Sequence, residues 1–266
     1  MAHQLLKGKK GIIFGALDQN SIAWKVALHA HAEGAQFTLT NAPIALRMGE
    51  INKLAEQCAA TVIPADATSV EDLEKLFAAS TEQLGGKLDF VLHSIGMSPN
   101  VRKGKSYGDL NYEWFQKTLD VSALSFHKMM QVAEKQDALN EWGSIVGLTY
   151  IAAQRVFPDY SDMAQAKALL ESIARSYGHR LGKLKKVRVN TISQSPTMTT
   201  AGSGVTGFDQ FFSYADTMSP LGNASAEDCA RYVISLFSDY TRMVTMQNLF
   251  HDGGFSSMGI AEELLK

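Results

Sequence analysis

The stretch Gly11-Ile-Ile-Phe-Gly15-Ala-Leu-Asp-Gln-Asn-Ser21-Ile-Ala23 sets the architecture. An apolar run of strand length ends at Gly15, and Ser21 stands where an amphipathic helix begins, so the segment reads as strand, tight turn and helix. Working outward, the same grammar repeats to the end of the chain. Further strand-length runs lie at 36–40, 61–65, 88–94, 144–149, 187–193 and 244–250, in addition to the first at 11–15. Helix-length amphipathic segments lie at 22–33, 45–58, 70–84, 112–134, 160–181 and 226–238. Most of the strand runs are continuously apolar, the signature of burial on both faces in a parallel sheet. Ser69 before Val-Glu-Asp and Ser225 before Ala-Glu-Asp are N-cap candidates with acids in the first helical turn. Seven strands alternating with helices predict one α/β domain over 1–266, a doubly wound three-layer sandwich around a seven-stranded parallel sheet.

Composition narrows the function classes. The chain has 266 residues, 45% hydrophobic and 20% charged, with 25 Lys+Arg against 27 Asp+Glu and a net charge of −2. No global positive field exists to hold nucleic acid or an anionic membrane. No apolar run approaches the roughly 20 residues needed to span a bilayer, and the basic patch at 7–10 leads into too short an apolar run for a secretory leader. A cytoplasmic protein is expected. Cys58 and Cys229 lack CxxC spacing, so two free, buried thiols are expected rather than a disulfide or zinc site. His93, His127 and His251 show no metal-binding spacing and are expected to be satisfied structural histidines.

Three predicted strands bring small or polar residues to one edge of the sheet. Gly15 lets backbone approach a pyrophosphate at a helix N-terminus, although the full G-x-G-x-x-G pattern is missing and an ordinary connection has the same shape. Asp66, directly after the third strand, can accept from an adenine amino group or simply precede a helix. His93-Ser94-Ile95-Gly96 ends the fourth strand in the same way. Two segments break the rhythm: 96–111, and 194–223 with Gly202, Gly204 and Gly207 followed by Phe208, Phe211, Phe212 and Tyr214. Both follow carboxyl ends of strands, where open α/β sheets place their ligand crevice.

Tyr160 and Lys167 are seven residues apart, which puts them on one face of a helix after two turns. An ammonium there would lower the phenol pKa, while the bland alternative is an interfacial tyrosine and a solvated lysine. Tyr150 closes the fifth strand. With six residues between Tyr160 and Lys167, and Tyr150 ten earlier, the pattern resembles the enoyl-acyl-carrier-protein reductase branch of the short-chain dehydrogenase/reductase superfamily. Ordinary members of that superfamily separate the pair by three. Asp120-Val-Ser-Ala-Leu-Ser-Phe126, Arg188-Val-Asn-Thr-Ile-Ser193 and Asp252-Gly-Gly-Phe255 extend the resemblance over the whole chain.

The resemblance implies a Rossmann-type sandwich and an oxidoreductase that reduces trans-2-enoyl thioesters of acyl carrier protein with NADH. By it, Gly15, Ser21 and Ile22 would hold the pyrophosphate side, Asp66 and Ala67 the adenine, and Ser94, Ile95 and Gly96 the adenosine ribose. Lys167 would bind the nicotinamide ribose, with Thr197 and Thr199 at the nicotinamide amide and diphosphate. Tyr150, Tyr160 and Lys167 would be catalytic. Met97, Ser98, Tyr150, Tyr160 and Phe208 would contact substrate, under a covering loop at 194–223 in which Phe211 and Tyr214 are further wall candidates. A homotetramer is also implied.

Two departures qualify it. The family's Gly-Pro-Ile-Arg/Lys-Thr turn reads Ser195-Pro-Thr-Met-Thr199 here, and no Lys or Arg occurs between Val189 and Ala230, so Arg102, Lys103 and Lys105 become the candidates for docking an acidic carrier. Lys183, Lys185 and Lys186 suit a helix C-terminus. The second strand ends in Thr40-Asn-Ala-Pro43 with no adjacent basic pair for a 2′-phosphate, which favours NADH over NADPH. A ketone or alcohol oxidoreductase and a non-catalytic nicotinamide sensor are the competing functions, the first opposed by the Tyr–Lys spacing and the second by the intact pair.

Overall fold

In the computed structural model, which describes residues 3–48, 50–158, 160–200, 202 and 207–262, the strands form one parallel sheet in the order β3-β2-β1-β4-β5-β6-β7. They are β1 (Lys10–Phe14), β2 (Gln36–Thr40), β3 (Thr61–Val62), β4 (Leu88–His93), β5 (Leu139–Thr149), β6 (Arg188–Gln194) and β7 (Asn248–His251). Alternate side chains face opposite layers, as a pleat of period two requires. Ile13, Leu92, Val146 and Ile192 pack under α1 (Ile22–Ala32), α3 (Ile51–Cys58) and α10 (Ala226–Phe237). Ile12, Val91, Ile145 and Val189 face α4 (Val70–Gln83), α7 (Ser125–Lys135) and α8 (Ser161–Lys185). Both faces are therefore covered, and the three-layer sandwich stands.

The predicted caps form. Ser69 accepts from the Asp72 N–H, and Ser225 makes a reciprocal capping box with Asp228. Asp252 is followed by Gly253 and Gly254 at positive φ, the tight turn expected after β7. Cys58 and Cys229 are free and buried.

Boundaries differ where a local residue interrupts the pattern. The third strand stops at Val62 rather than 65 because Pro64 has no N–H to give; Ile63 and Ala65 still donate to Leu39 of β2 and to Asn41 just beyond it. Asp66 thus lies in a turn, its Oδ1 accepting from Thr68 N and Oγ1 at 2.9 and 2.7 Å. The helix expected at 45–58 is two, α2 (Pro43–Met48) and α3, with Glu50 outside helical geometry before the second. β7 starts at 248 because Met246 has φ +62° and the Asn190 side chain takes the flanking Val244 O and Gln247 N–H.

The helix expected at 112–134 is α6 (Tyr112–Leu119) and α7 joined by a π turn at Asp120–Leu124. Such widened turns concentrate near functional sites. Here it lets Ser122 Oγ both accept from Met97 N at 2.9 Å and donate to Met97 O at 3.1 Å, fixing the chain just beyond β4. The two long connections carry short helices, α5 (Pro99–Arg102) and α9 (Phe208–Met218). Gly204 lies outside the described residues. No described helix is long and apolar enough to cross a membrane.

Candidate active site

The carboxyl ends of β1, β4, β5 and β6 open into one cleft of about 420 Å³. It runs from the Gly15 turn and the start of α1, past Ser94–Gly96, to Tyr150, Tyr160 and Lys167, and ends under α9. Gly15 has φ +93°, and a Cβ there would lie 2.0 Å from Ser94 O, so only glycine allows β1 and β4 to converge in this way. Ser21 Oγ donates to Asp18 O at 2.7 Å and makes no cap bond to α1, so the helix's first N–H groups face the cleft without a side-chain cap.

That geometry fits a dinucleotide's pyrophosphate, with anion-binding amides at a helix start beside a glycine that no side chain shields. Asn41 ties the end of β2 to this turn through Nδ2 to Ala16 O at 3.0 Å. From the other side, Thr200 Oγ1 donates to Asp18 at 2.5 Å, bringing the 195–200 turn over the same region. Thr197 and Thr199 border the cleft as expected, but their hydroxyls are engaged locally: Thr197 donates to Ser195 O at 2.9 Å and Thr199 accepts from Gly202 N at 3.0 Å. Asp66 and Ala67 do not border the cleft; Asp66 is exposed and Ala67 packs into the core.

Tyr160 precedes α8 and Lys167 lies two turns along it, and both reach the cleft. Lys167 is 8% exposed and donates to Leu148 O at 2.9 Å, and a Cβ on Gly96 would stand 3.4 Å from its ammonium. Burial lowers its pKa to about 8, with Glu171, one turn further along α8, opposing the fall. Glu171 is itself held by Thr149 Oγ1 at 2.9 Å and Gln154 Nε2 at 3.0 Å.

The expectation that Lys167 lowers the Tyr160 pKa is overturned. Burial pushes the Tyr160 phenol well above its ordinary range, and the ammonium is held by Leu148 O instead. Desolvation of a would-be phenolate outweighs the attraction. Tyr150 behaves likewise, raised chiefly by burial, with Tyr160 and Asp252 adding. The Tyr150 hydroxyl is buried without a hydrogen-bond partner among the described residues, an arrangement that suits a group awaiting a ligand. Both tyrosines are therefore neutral donors at physiological pH.

The end of the cleft under α9 is aromatic. Tyr150 packs against Tyr160 and Phe157 at 5.3 and 5.4 Å between ring centroids, and Phe211 of α9 meets both Tyr150 and Phe157 at 5.7 and 5.0 Å. Phe208 and Phe211 border the cleft, whereas Tyr214 points away, half-exposed against Phe255. Phe157 and Met163 are walls that the sequence reading passed over, although each lies three residues from Tyr160, Met163 one helical turn on along α8. Ser98 borders the cleft, but its hydroxyl is bound to Asp162 at 2.6 Å.

Of the three histidines, His251 is hydrogen-bonded to Gln194 at 2.7 Å and stacked on Tyr232, and His127 packs edge-on to Tyr177. His93 is only half satisfied, contrary to expectation. Its Nε2 meets Ser125 Oγ at 2.8 Å while Nδ1 has no partner among the described residues, and burial followed by the Lys167 charge lowers its pKa to about 3. It is neutral. No group of metal-ligating side chains occurs among the described residues.

Comparison with known proteins gives a consistent picture. The profile of the Enoyl-(Acyl carrier protein) reductase family matches residues 15–256. Enoyl-[acyl-carrier-protein] reductase [NADH] 1 of Rhizobium meliloti is 33% identical over 97% of this chain and 94% of its own length. Among solved structures, a FabI–NADH complex from Alistipes finegoldii superposes with a TM-score of 0.96 at 65% identity, covering 97% of this chain and 92% of that one. The NADH-type reductase of Aquifex aeolicus gives 0.89 at 31% identity, covering 96% and 99%.

Proposed function

The chain belongs to the enoyl-(acyl carrier protein) reductase family, and we propose from that premise how its residues divide the work. The enzyme is an NADH-dependent oxidoreductase that reduces the trans-2 double bond of enoyl-acyl-carrier-protein thioesters in fatty acid elongation. The observation that carries the assignment of roles is that Tyr150, Tyr160 and Lys167 open onto the same cleft as the Gly15 turn and the free start of α1.

When bound, NADH would supply the hydride for the β-carbon, and negative charge would then develop on the thioester oxygen. Tyr160, kept protonated by burial, donates a hydrogen bond to that oxygen where the charge develops. Tyr150, its hydroxyl without a partner among the described residues, adds a second donor or passes the proton to the α-carbon. Lys167 orients the nicotinamide ribose and adds positive potential; Gly15, Ser21 and Ile22 seat the pyrophosphate, and Ser94, Ile95 and Gly96 the adenosine side. Thr197 and Thr199 shape the nicotinamide end, and Asp66 and Ala67 the adenine beyond the cleft. Met97, Ser98 and Phe208 flank the acyl group, and the described parts of segment 194–223 cover it and exclude water. A single catalytic domain spans 1–266.

NADH oxidation with a short trans-2-enoyl thioester tests this directly. Wild type turns over and Tyr160→Phe loses about 10²–10³-fold in kcat. Retained turnover in the variant removes Tyr160 from the donor role.

For the carrier protein, Arg102 at the cleft mouth and the adjacent Lys103 are exposed, while Lys105 is bound to Asp109 at 2.7 Å. Docking through Arg102 and Lys103 predicts that Arg102→Ala/Lys103→Ala lowers kcat/KM with carrier-protein substrates and spares small thioesters. The reading also implies a cytoplasmic homotetramer, which sedimentation and cell fractionation check.

A further inference from the structure

Asp162 is a carboxylate taken out of water at the start of α8. It is fully buried, two residues beyond Tyr160, and forms no ion pair among the described residues. A charge in that position must be hydrogen-bonded. Its Oδ1 accepts from Ser98 Oγ at 2.6 Å, and its Oδ2 accepts from Asn100 Nδ2 at 2.7 Å. Thr118 Oγ1 lies 2.9 Å from the same Oδ2, a hydroxyl shared with Trp114 O. The positive end of α8, in whose first turn Asp162 sits, favours the charge further.

All three donors come from outside α8, and two of them organise the segment after β4. Ser98 Oγ caps α5 by accepting from Val101 N at 3.0 Å. Asn100 brackets Asn111, donating to its carbonyl at 3.1 Å and accepting from its N–H at 3.0 Å. One carboxylate thus anchors a connection of which Met97, Val101 and Arg102 border the cleft. Val101 packs in one cluster with Met163, Ala166 and Tyr160. Between Tyr160 and Asp162 stands Ser161 at φ +50°, a left-handed conformation that a non-glycine residue keeps only when its surroundings hold it. The bonds to Asp162 lie at the next residue.

We propose that Asp162 is a positioning residue for enoyl reduction: its carboxylate gathers Ser98, Asn100 and Thr118 and so fixes the wall of the acyl cleft against the Tyr160 end of α8. The proposal rests on Tyr160 as the donor to the thioester. Asp162 touches no reacting atom; it sets the distance between the group that binds the acyl chain and the group that stabilises its charge.

Asp162→Asn replaces an acceptor by a donor facing donors. The expected result is a fall of about tenfold or more in kcat/KM for a short trans-2-enoyl thioester, measured per folded enzyme. NADH Kd, followed by fluorescence, stays within about twofold, because the cofactor side is held by other bonds. Amide hydrogen exchange at 97–102 and 111–114 speeds up. A lowered Tm with kcat, KM and loop exchange unchanged overturns the proposal and leaves Asp162 a stability residue. If the variant does not fold, Asn100→Ala and Thr118→Val replace it, since neither residue borders the cleft: a raised thioester KM with unchanged NADH Kd supports the proposal, and no kinetic change in either overturns it. Tyr160→Phe run alongside separates the two questions. Turnover surviving there removes the donor assignment, while loop exchange in Asp162→Asn still reports on the clamp.

Discussion

The two sides of the cleft are built by different means. The cofactor side is main chain: Gly15, Ser94 and Gly96 stand at the ends of adjacent strands whose register is fixed from Gly11↔Phe90 to Phe14↔His93. The acyl side is side chain, with rings from β5, α9 and the 157 segment packed on one another, and loop 97–102 held by Ser122 and Asp162. Ladder hydrogen bonds of a central sheet cannot shift singly. Side-chain contacts between loops can. The first side is therefore fixed in place, and the second can change shape with its substrate.

Substitutions should respect that division. Gly15→Ala strikes the rigid side, where a Cβ 2.0 Å from Ser94 O at φ +93° leaves no room. NADH Kd should rise by about 100-fold or more by fluorescence titration, since neither strand can move aside. A smaller change, with the fold intact, would mean the turn is more pliable than its ladder suggests.

pH sharpens the contrast through Lys167. With its pKa lowered from 10.5 to about 8, the ammonium is intact below pH 8 and lost above it. Cofactor affinity should thus fall about tenfold between pH 7 and pH 9 if the ammonium is required. Stability runs the other way: the unfolded chain keeps the proton up to about 10.5, so the cost of burying the charge disappears as pH rises from 8 toward 10.5. Tyr160 and Tyr150, both raised by burial, add no inflection below the ordinary phenol range.

The smallest effect is expected on the adaptable side. Phe211→Ala removes ring contacts to Tyr150 and Phe157 and should raise the thioester KM by roughly 3–10-fold, leaving NADH Kd alone. Equal loss in both constants would show that the sides are coupled.

This division also explains what could be read in the sequence. Continuous apolar runs and N-cap serines are local signals, and they located the seven strands, although β5 starts at Leu139 rather than 144, and most of the helices outside the two long connections. Errors fell where one residue acts on its neighbours, such as Pro64 ending β3 or Asn190 intruding on the start of β7. The spacing of Tyr160 and Lys167 pointed to one helix face, whereas Tyr160 stands just before α8 with Ser161 at φ +50° after it; both border the cleft, but the sign of the tyrosine's pKa shift depended on burial and on Leu148 O taking the ammonium. Neither is a property of spacing. The tie from Asp162 to Ser98, 64 positions away, has no local signal at all.

The central claim is that Lys167 serves the cofactor and Tyr160 the substrate, although Tyr160 directly precedes α8 and Lys167 lies only two turns along it. NADH titration and single-turnover reduction of a trans-2-enoyl thioester, run together on Lys167→Met and Tyr160→Phe, test it most directly. The account predicts weakened NADH binding in the first variant, and in the second a normal Kd with turnover lost. Tyr160→Phe binding NADH as poorly as Lys167→Met, or reducing the thioester at the wild-type rate, would contradict it.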